Sequence, residues 1–350
     1  MAKQRKNSDN RKVSVRHAAV ILVCLALLMI SAWISVSTGY SKLSFSDILH
    51  TFWGKGSGNE NLILFSFRLP RTVLSMLVGT GLAVSGCLLQ GITRNPLADP
   101  GLLGINSGTG FVVVLYVLLY GTQSSLAIFT LPVLALSGAG AAALLVYLLA
   151  YKKGEGSTPI RIVMTGIAVQ AGLSALTMLL VVKLDDTQYS FVSSWQAGSI
   201  WGANWLFVLA LLPWLCILLP AAFCRAGILD IMELGEETAG GLGISVHKEQ
   251  RKLLTIAVAL AGVCVSVSGS ISFVGLMAPH MTRRIVGPRY RIVLPVCALL
   301  GALLVSAADT IARVVIQPSS LPTGVVVSVI GAPYFIYLLS RKGKETRNIG

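Results

Sequence analysis

The sequence predicts an all-α polytopic membrane protein with about ten transmembrane helices, and three observations carry that prediction. Of 350 residues, 54% are hydrophobic and only 12% charged, with a mean hydropathy of +0.77, which is far from the composition of a water-soluble domain. The apolar residues fall in many runs of about twenty, the length that crosses about 30 Å of hydrocarbon. Most of the 28 Lys and Arg, set against 14 Asp and Glu, lie in short segments between those runs. A formal charge of +14 would suggest nucleic acid in a soluble chain. Here it reads as topology, and both a water-soluble enzyme and a nucleic-acid binder are excluded.

The spans follow in order. Residues 18–38 form the first, behind a basic tail over 1–17; it has no convincing small-residue cleavage site and is read as an uncleaved helix. The next are 72–90, 101–120, 126–150 and 160–182, separated by polar or basic connectors. Residues 205–223 form the sixth, 253–271 the seventh, 272–286 a short eighth, 292–312 the ninth and 324–339 the tenth, before a tail over 341–350. The whole of 18–340 is one transmembrane domain in which 224–252 is the longest internal cytoplasmic connector. With the N-terminus inside, 22 of the 28 basic residues are cytoplasmic. Deleting the eighth span would move Arg341, Lys342, Lys344 and Arg347 outside, against the positive-inside bias. Both termini are therefore expected to be cytoplasmic.

An internal repeat runs through these spans. At an offset of 183, Arg68, Gly79, Val84, Ser85, Gly86, Pro96 and Gly104 fall on Arg251, Gly262, Val267, Ser268, Gly269, Pro279 and Gly287. Five spans separate the copies, so the two halves cross in opposite directions, a recurrent transporter construction. Chance similarity between Gly/Ser-rich membrane segments is the other reading, since small residues also serve close helix packing.

Several chemistries have no residues to support them. The six cysteines show no CxxC spacing and read as packing residues, and the four histidines are scattered, so no metal cluster is expected. There is no GxxxxGK[ST] phosphate loop, and Gly154-Glu155-Gly156-Ser157-Thr158 lacks the lysine. Among acidic residues only Asp309 lies well inside a span, with Arg313 four residues on. A local ion pair is favoured there over a proton or ion site. The chain is thus expected to carry no catalytic centre and no cofactor.

Two features offer docking chemistry. In 224–252, Leu229, Ile231, Met232, Leu234, Ala239, Leu242 and Ile244 alternate with Asp230, Glu233, Glu236 and Glu237 and with glycines. That pattern predicts short amphipathic helices divided by glycine turns, able to dock a soluble partner or to serve as a plain solvated connector. Outside, Arg68, Arg71 and Arg313 stand against the charge bias. Their forks suit carboxylates on a partner surface, and interfacial snorkelling is the alternative.

Phe67-Arg68-Leu69-Pro70-Arg71, Gly81-Leu82-Ala83-Val84-Ser85-Gly86, Gln90 and Asn95-Pro96-Leu97-Ala98-Asp99-Pro100-Gly101-Leu102-Leu103-Gly104 come first in a series of longer strings. Gly235-Glu236-Glu237-Thr238-Ala239 with Leu242-Gly243, Phe273-Val274-Gly275-Leu276-Met277-Ala278-Pro279-His280, and Leu321-Pro322-Thr323-Gly324 with Gly331-Ala332-Pro333-Tyr334-Phe335 complete it. In order, from about residue 45 to 340, they resemble the FecCD family, permease subunits of iron-siderophore and vitamin B12 ABC importers. The resemblance implies a ten-helix type II permease in the cytoplasmic membrane of a bacterium. It would work paired with a second copy or a homologous permease, with two ATPase subunits inside that bind the ATP and a substrate-binding protein outside.

It also implies roles for particular residues. Gly235, Glu236, Glu237, Ala239, Leu242 and Gly243 would dock the ATPase. Arg68, Arg71 and Arg313 would receive the binding protein, and Ser157, Thr158, Pro159 and Ile160 would form an inner gate. Pro159 departs from the small hydroxylated residue of the B12 member. The expected cargo is a ferric siderophore crossing a path of small and apolar residues. Cobalamin or haem is the alternative within the class, and an ion-coupled carrier using Asp309 the alternative outside it.

Overall fold

The computed structural model describes residues 2–39, 44–121, 127–152, 159–200, 202–316 and 319–347. Fifteen α-helices account for nearly all of them. They run as α1 (Ala2–Ser37), α2 (Phe45–Phe52), α3 (Gly58–Asn61), then a π-helical segment, Leu62–Arg68, that leads directly into α4 (Leu69–Thr93). A 3-10 turn at Pro100–Leu103 precedes α5 (Ile105–Tyr120), α6 (Ala127–Ala150), α7 (Pro159–Val181), α8 (Asp186–Gln196) and α9 (Trp205–Phe223). The rest are α10 (Ala226–Met232), α11 (Glu236–Gly241), α12 (Val246–Ser268), α13 (Val274–Val286), α14 (Tyr290–Val315) and α15 (Thr323–Arg347).

Among the described residues seven helical stretches are long and apolar enough to span a membrane, and two shorter apolar ones, Ile105–Tyr120 and Thr323–Tyr337, join them. These nine match nine of the ten expected spans. The eighth differs, because α13 has only 13 residues, about 20 Å of helix, which cannot cross the hydrocarbon alone. Its start is fixed by Phe273 in the left-handed region, φ 68°, and α12 stops at Gly269, φ 67°. The expected seventh and eighth spans, drawn as abutting at 271 and 272, are therefore separated by a non-helical linker, 269–273.

Two helical features go beyond the sequence reading. The stretches read as tails, 1–17 and 341–350, are helical as far as they are described: α1 begins at Ala2 and α15 ends at Arg347. The other is α8, which was not expected. Its polar residues hide it from any search for apolar runs, but Asp185 caps it, accepting from the Gln188 backbone at 2.8 Å while Gln188 accepts from the Asp185 backbone at 3.2 Å. Those capping bonds from Gln188, and then Thr187, hold the exposed Asp185 carboxyl below its ordinary range.

α4 is the centre of the bundle, packed against α9, α12, α13 and α14 and buried almost all round from Val78 to Ile92. Lipid tails are as apolar as leucine, so association here depends on close packing and interhelical hydrogen bonds rather than on escape from water. Small residues supply the first. A Cβ on Gly79 would lie 2.2 Å from the Gly301 carbonyl oxygen, and one on Gly86 would lie 2.0 Å from that of Gly275. Hydroxyls supply the second: Ser85 donates to the Ala257 carbonyl at 2.6 Å, and Ser35 and Thr72 share a hydrogen bond of 2.7 Å.

The 183-residue repeat is only partly matched by these roles. Gly79 and Gly86 both serve helix contact within α4, whereas Gly269, aligned with Gly86, ends α12 in the left-handed conformation. Gly86→Val is expected to destabilise the chain by about 3 kcal/mol or more, because the overlap is with backbone. Gly140→Ala on α6, where a Cβ would meet nothing within 4 Å, should be stabilising by up to about 1 kcal/mol from helix propensity. Thermal unfolding of the two variants in detergent measures both signs.

Candidate functional site

Two cavities, about 450 and 570 Å³, adjoin along one side of the bundle and share Gln196, Ser270 and Ser272. The first lies among α5, α7 and α8, and its lining is unusually polar for a membrane protein: Asn106, Ser107, Gln170, Ser174 and Ser193 contribute. The second continues along α15 past Gly324, Ser328 and Ala332. Neither is lined by Asp, Glu, His, Lys or Arg. Together they make a groove whose lining mixes polar side chains with small and apolar ones. The signal for it was present in α7, where Gln170, Ser174 and Thr177 recur at i, i+4 and i+7 and so share one face.

The groove wall at 269–273 is wedged between two elements. The Gly324 backbone N–H, at the start of α15, donates to the Gly198 carbonyl just after α8, at 2.8 Å. A Cβ on Gly269 would meet the Trp195 carbonyl oxygen at 1.9 Å. Only glycine allows that approach, and the left-handed φ favours it independently.

At one end of the bundle Arg68, Arg71 and Arg313 come together, as a common role would require, but not as an outward rim. Asp309 has no exposed surface. It accepts from Arg71 Nε and Nη2 at 3.0 and 2.9 Å and from the Thr323 hydroxyl at 3.0 Å, while Arg313 Nε lies 3.2 Å from its other oxygen. The expected Asp309–Arg313 pair is thus real and only half of the arrangement. The other two guanidinium contacts face α1. Arg313 donates to the Ser35 and Thr38 carbonyls at 3.1 and 3.3 Å, and Arg68 to those of Val36 and Ser37 at 2.7 and 3.2 Å. The last carbonyls of a helix lack intrahelical partners and carry partial negative charge. These arginines satisfy them, which is why their side chains turn inward.

The opposite end carries the hook formed by α10 and α11. Leu229, Met232 and Ala226 are buried, and the Asp230 carboxylate accepts from the Tyr290 backbone N–H at 2.7 Å, fixing α10 to the start of α14. Gly235, φ 110°, and Gly243, φ 82°, make the turns on either side of α11. Of the residues expected to dock a partner, Glu236, Glu237, Leu242 and Gly243 are exposed; Ala239 is buried and supports the hook from beneath. Leu234 and Leu242 are each 62% exposed, so the surface combines two apolar side chains with two carboxylates. Of the expected gate, Ser157 and Thr158 lie outside the described residues, Pro159 opens α7, and Ile160 is 73% exposed. Among the described residues no group of three His, Cys, Asp or Glu could hold a metal.

The model of the FecCD transport family matches residues 27–341. The chain belongs to that family. It is 47% identical to the iron(3+)-hydroxamate import system permease protein FhuG of Bacillus subtilis, across 92% of this chain and 96% of that protein. It is 39% identical to the Fe(3+) dicitrate transport system permease protein FecD of Escherichia coli, across 93% and 98%. A solved structure described as an inward-facing ABC transporter of metal-chelate type superposes with a TM-score of 0.82 at 27% identity, covering 93% of this FecCD chain and 99% of the other. The FecCD assignment makes the chain a transport subunit, and its apolar helices make it a multi-pass membrane protein.

Removing one partner from a buried ion pair strands the other, at about 3–5 kcal/mol. Asp309→Ala is therefore expected to lower thermal stability strongly, and the double variant Arg71→Met with Asp309→Leu to recover part of the loss, since Arg313 is still left without its carboxylate. Unfolding temperatures of single and double variants, analysed as a cycle, test this. A double variant no more stable than Asp309→Ala would contradict it.

Proposed function

We propose that this chain is the permease subunit of an ATP-binding-cassette importer that passes a ferric siderophore across the cytoplasmic membrane of a bacterium. The observation that carries the reading is the hook. A rigidly mounted pair of short helices presents two leucines and two carboxylates at the end of the bundle where most described basic residues gather, Arg225, Lys248, Arg251, Arg283 and Arg289 among them. That is the end the positive-inside bias places in the cytoplasm. A soluble ATPase can receive such a surface in a groove.

Several further features support the reading. The polar groove opens along one side of the bundle, so a second copy, or a homologous permease, would close it into a path. The relatives named for ferric hydroxamate and ferric dicitrate point to an iron chelate as cargo. Cargo would arrive from an extracytoplasmic binding protein at the Arg68, Arg71 and Arg313 end. Because those three forks are engaged inside the chain, a binding protein would meet the surrounding surface rather than free guanidinium groups. An ion-coupled carrier fits poorly, since both oxygens of Asp309 are already filled by two arginines and Thr323.

Two outcomes test the proposal. Proteoliposomes holding the permease, its ATPase and its binding protein should accumulate a ferric siderophore with ATP inside and a protonophore present; accumulation that collapses with the gradient would refute ATP coupling. Glu236→Lys with Glu237→Lys should leave the permease inserted while cutting the yield of co-purified ATPase at least about tenfold, which corresponds to 1.4 kcal/mol or more of lost interaction. Wild-type yield from that variant would remove the hook from the interface.

A further inference from the structure

The hook and the groove wall are joined by a continuous set of polar contacts through the middle of the bundle. Asp230 of α10 accepts from the Tyr290 backbone N–H at 2.7 Å. The Tyr290 ring, 1% exposed, faces the Arg283 guanidinium of α13, 5.7 Å from ring centroid to Cζ. Arg283 Nη1 donates to the Gln90 carboxamide oxygen of α4 at 2.7 Å. The Gln90 amide nitrogen reaches the Gly275 and Leu276 carbonyls at 3.3 and 3.5 Å. Those carbonyls belong to the first turn of α13, immediately after Phe273 and the groove residues Ser270 and Ser272.

We infer that Gln90 and Arg283 are positioning residues that transmit displacement of the α10–α11 hook to the groove wall at 269–273. The inference rests on the reading of that hook as the ATPase-docking surface. Three observations argue for transmission rather than packing alone. Gln90 is 3% exposed in the most buried helix of the chain. A carboxamide there costs desolvation unless both its ends are used, and both are, on two different parts of α13. The receiving segment is also the one poised to respond. It is non-helical, and it is bounded by Gly269 and by Phe273, a non-glycine residue held at φ 68°. Backbone strain of this kind costs on the order of 1–3 kcal/mol and persists where surroundings impose it. Finally, Gly86 brings α4 into backbone contact with Gly275, so α4 and the head of α13 move as one body. Displacement of Arg283 by the hook then acts on a preloaded linker through a short, stiff path.

The test uses a thiol reporter in the groove wall. Ser272→Cys is placed on a Cys216→Ser, Cys224→Ser background, which removes the two exposed cysteines and leaves the four buried ones. The assembly with ATPase and binding protein is reconstituted, and maleimide labelling is followed with and without ATP alongside ATP hydrolysis. In the parent, ATP should change the labelling rate by about fivefold or more, the lower end of typical coupling between sites. Gln90→Leu and Arg283→Met should reduce that change to less than about twofold while hydrolysis continues. Gln90→Glu keeps the acceptor for Arg283 and loses the donor to the carbonyls, so it should fail in the same way.

A full ATP response in either Gln90 variant overturns the inference. So does a response that falls only in step with loss of bound ATPase, which would mark the residues as structural. Ferric-siderophore uptake by the parent vesicles reports separately on the proposed function. ATP-linked labelling without uptake would defeat the cargo reading and leave the transmission path standing, and a parent without ATP-linked labelling would defeat the path.

Discussion

Close backbone approach to α4 is the constraint on which the rest of this molecule depends. In hydrocarbon, two helices gain little by leaving lipid for each other unless their backbones come near enough for dense van der Waals contact and interhelical hydrogen bonds. Gly79 and Gly86 permit that approach on the sides facing α14 and α13, and Ser85 ties α4 to α12. Everything of functional interest is hung on this framework. The ion cluster spans α1, α4, α14 and α15 at one end, the hook is bolted to α14 at the other, and the groove wall hangs from the head of α13 between them. Side chains larger than methyl at the glycine contacts would spread all three apart together.

How much of this was legible in the sequence depended on the range of the interaction. The nine apolar helices were legible because length and hydropathy are local, and the hook because alternating leucines, carboxylates and glycines encode short helices and turns within some twenty residues. The Asp309–Arg313 pair was legible for the same reason, being one helical turn apart. Its second arginine, Arg71, comes from 238 residues away. No spacing rule connects them, so the inward engagement of the three arginines was not legible.

The polar groove was missed for a different reason. Its serines and carboxamides are scattered over α5, α7, α8, α15 and the 269–273 linker, one or two per element, and each is unremarked beside its apolar neighbours. α7 repeats them over two turns and α8 only as Ser193 and Gln196. The helix α8, which closes part of the groove, is too short and too polar for a hydropathy scan and is marked only by the Asp185–Gln188 capping box. The boundary between the seventh and eighth spans was legible, but not the left-handed Gly269 and Phe273 that end α12 and begin α13.

The neutrality of the groove lining would bear on any cargo that passed along it. A passage furnished with hydroxyls and carboxamides offers many shallow wells of similar depth in place of one deep one. Such a lining presents both donors and acceptors, so it can turn to suit either sign of partial charge on the object passing, and its character does not change across the pH range in which histidines and carboxylates titrate. An object held by several interchangeable weak contacts can also leave as easily as it entered. If cargo takes this route, as proposed above, the groove itself would discriminate little among cargoes.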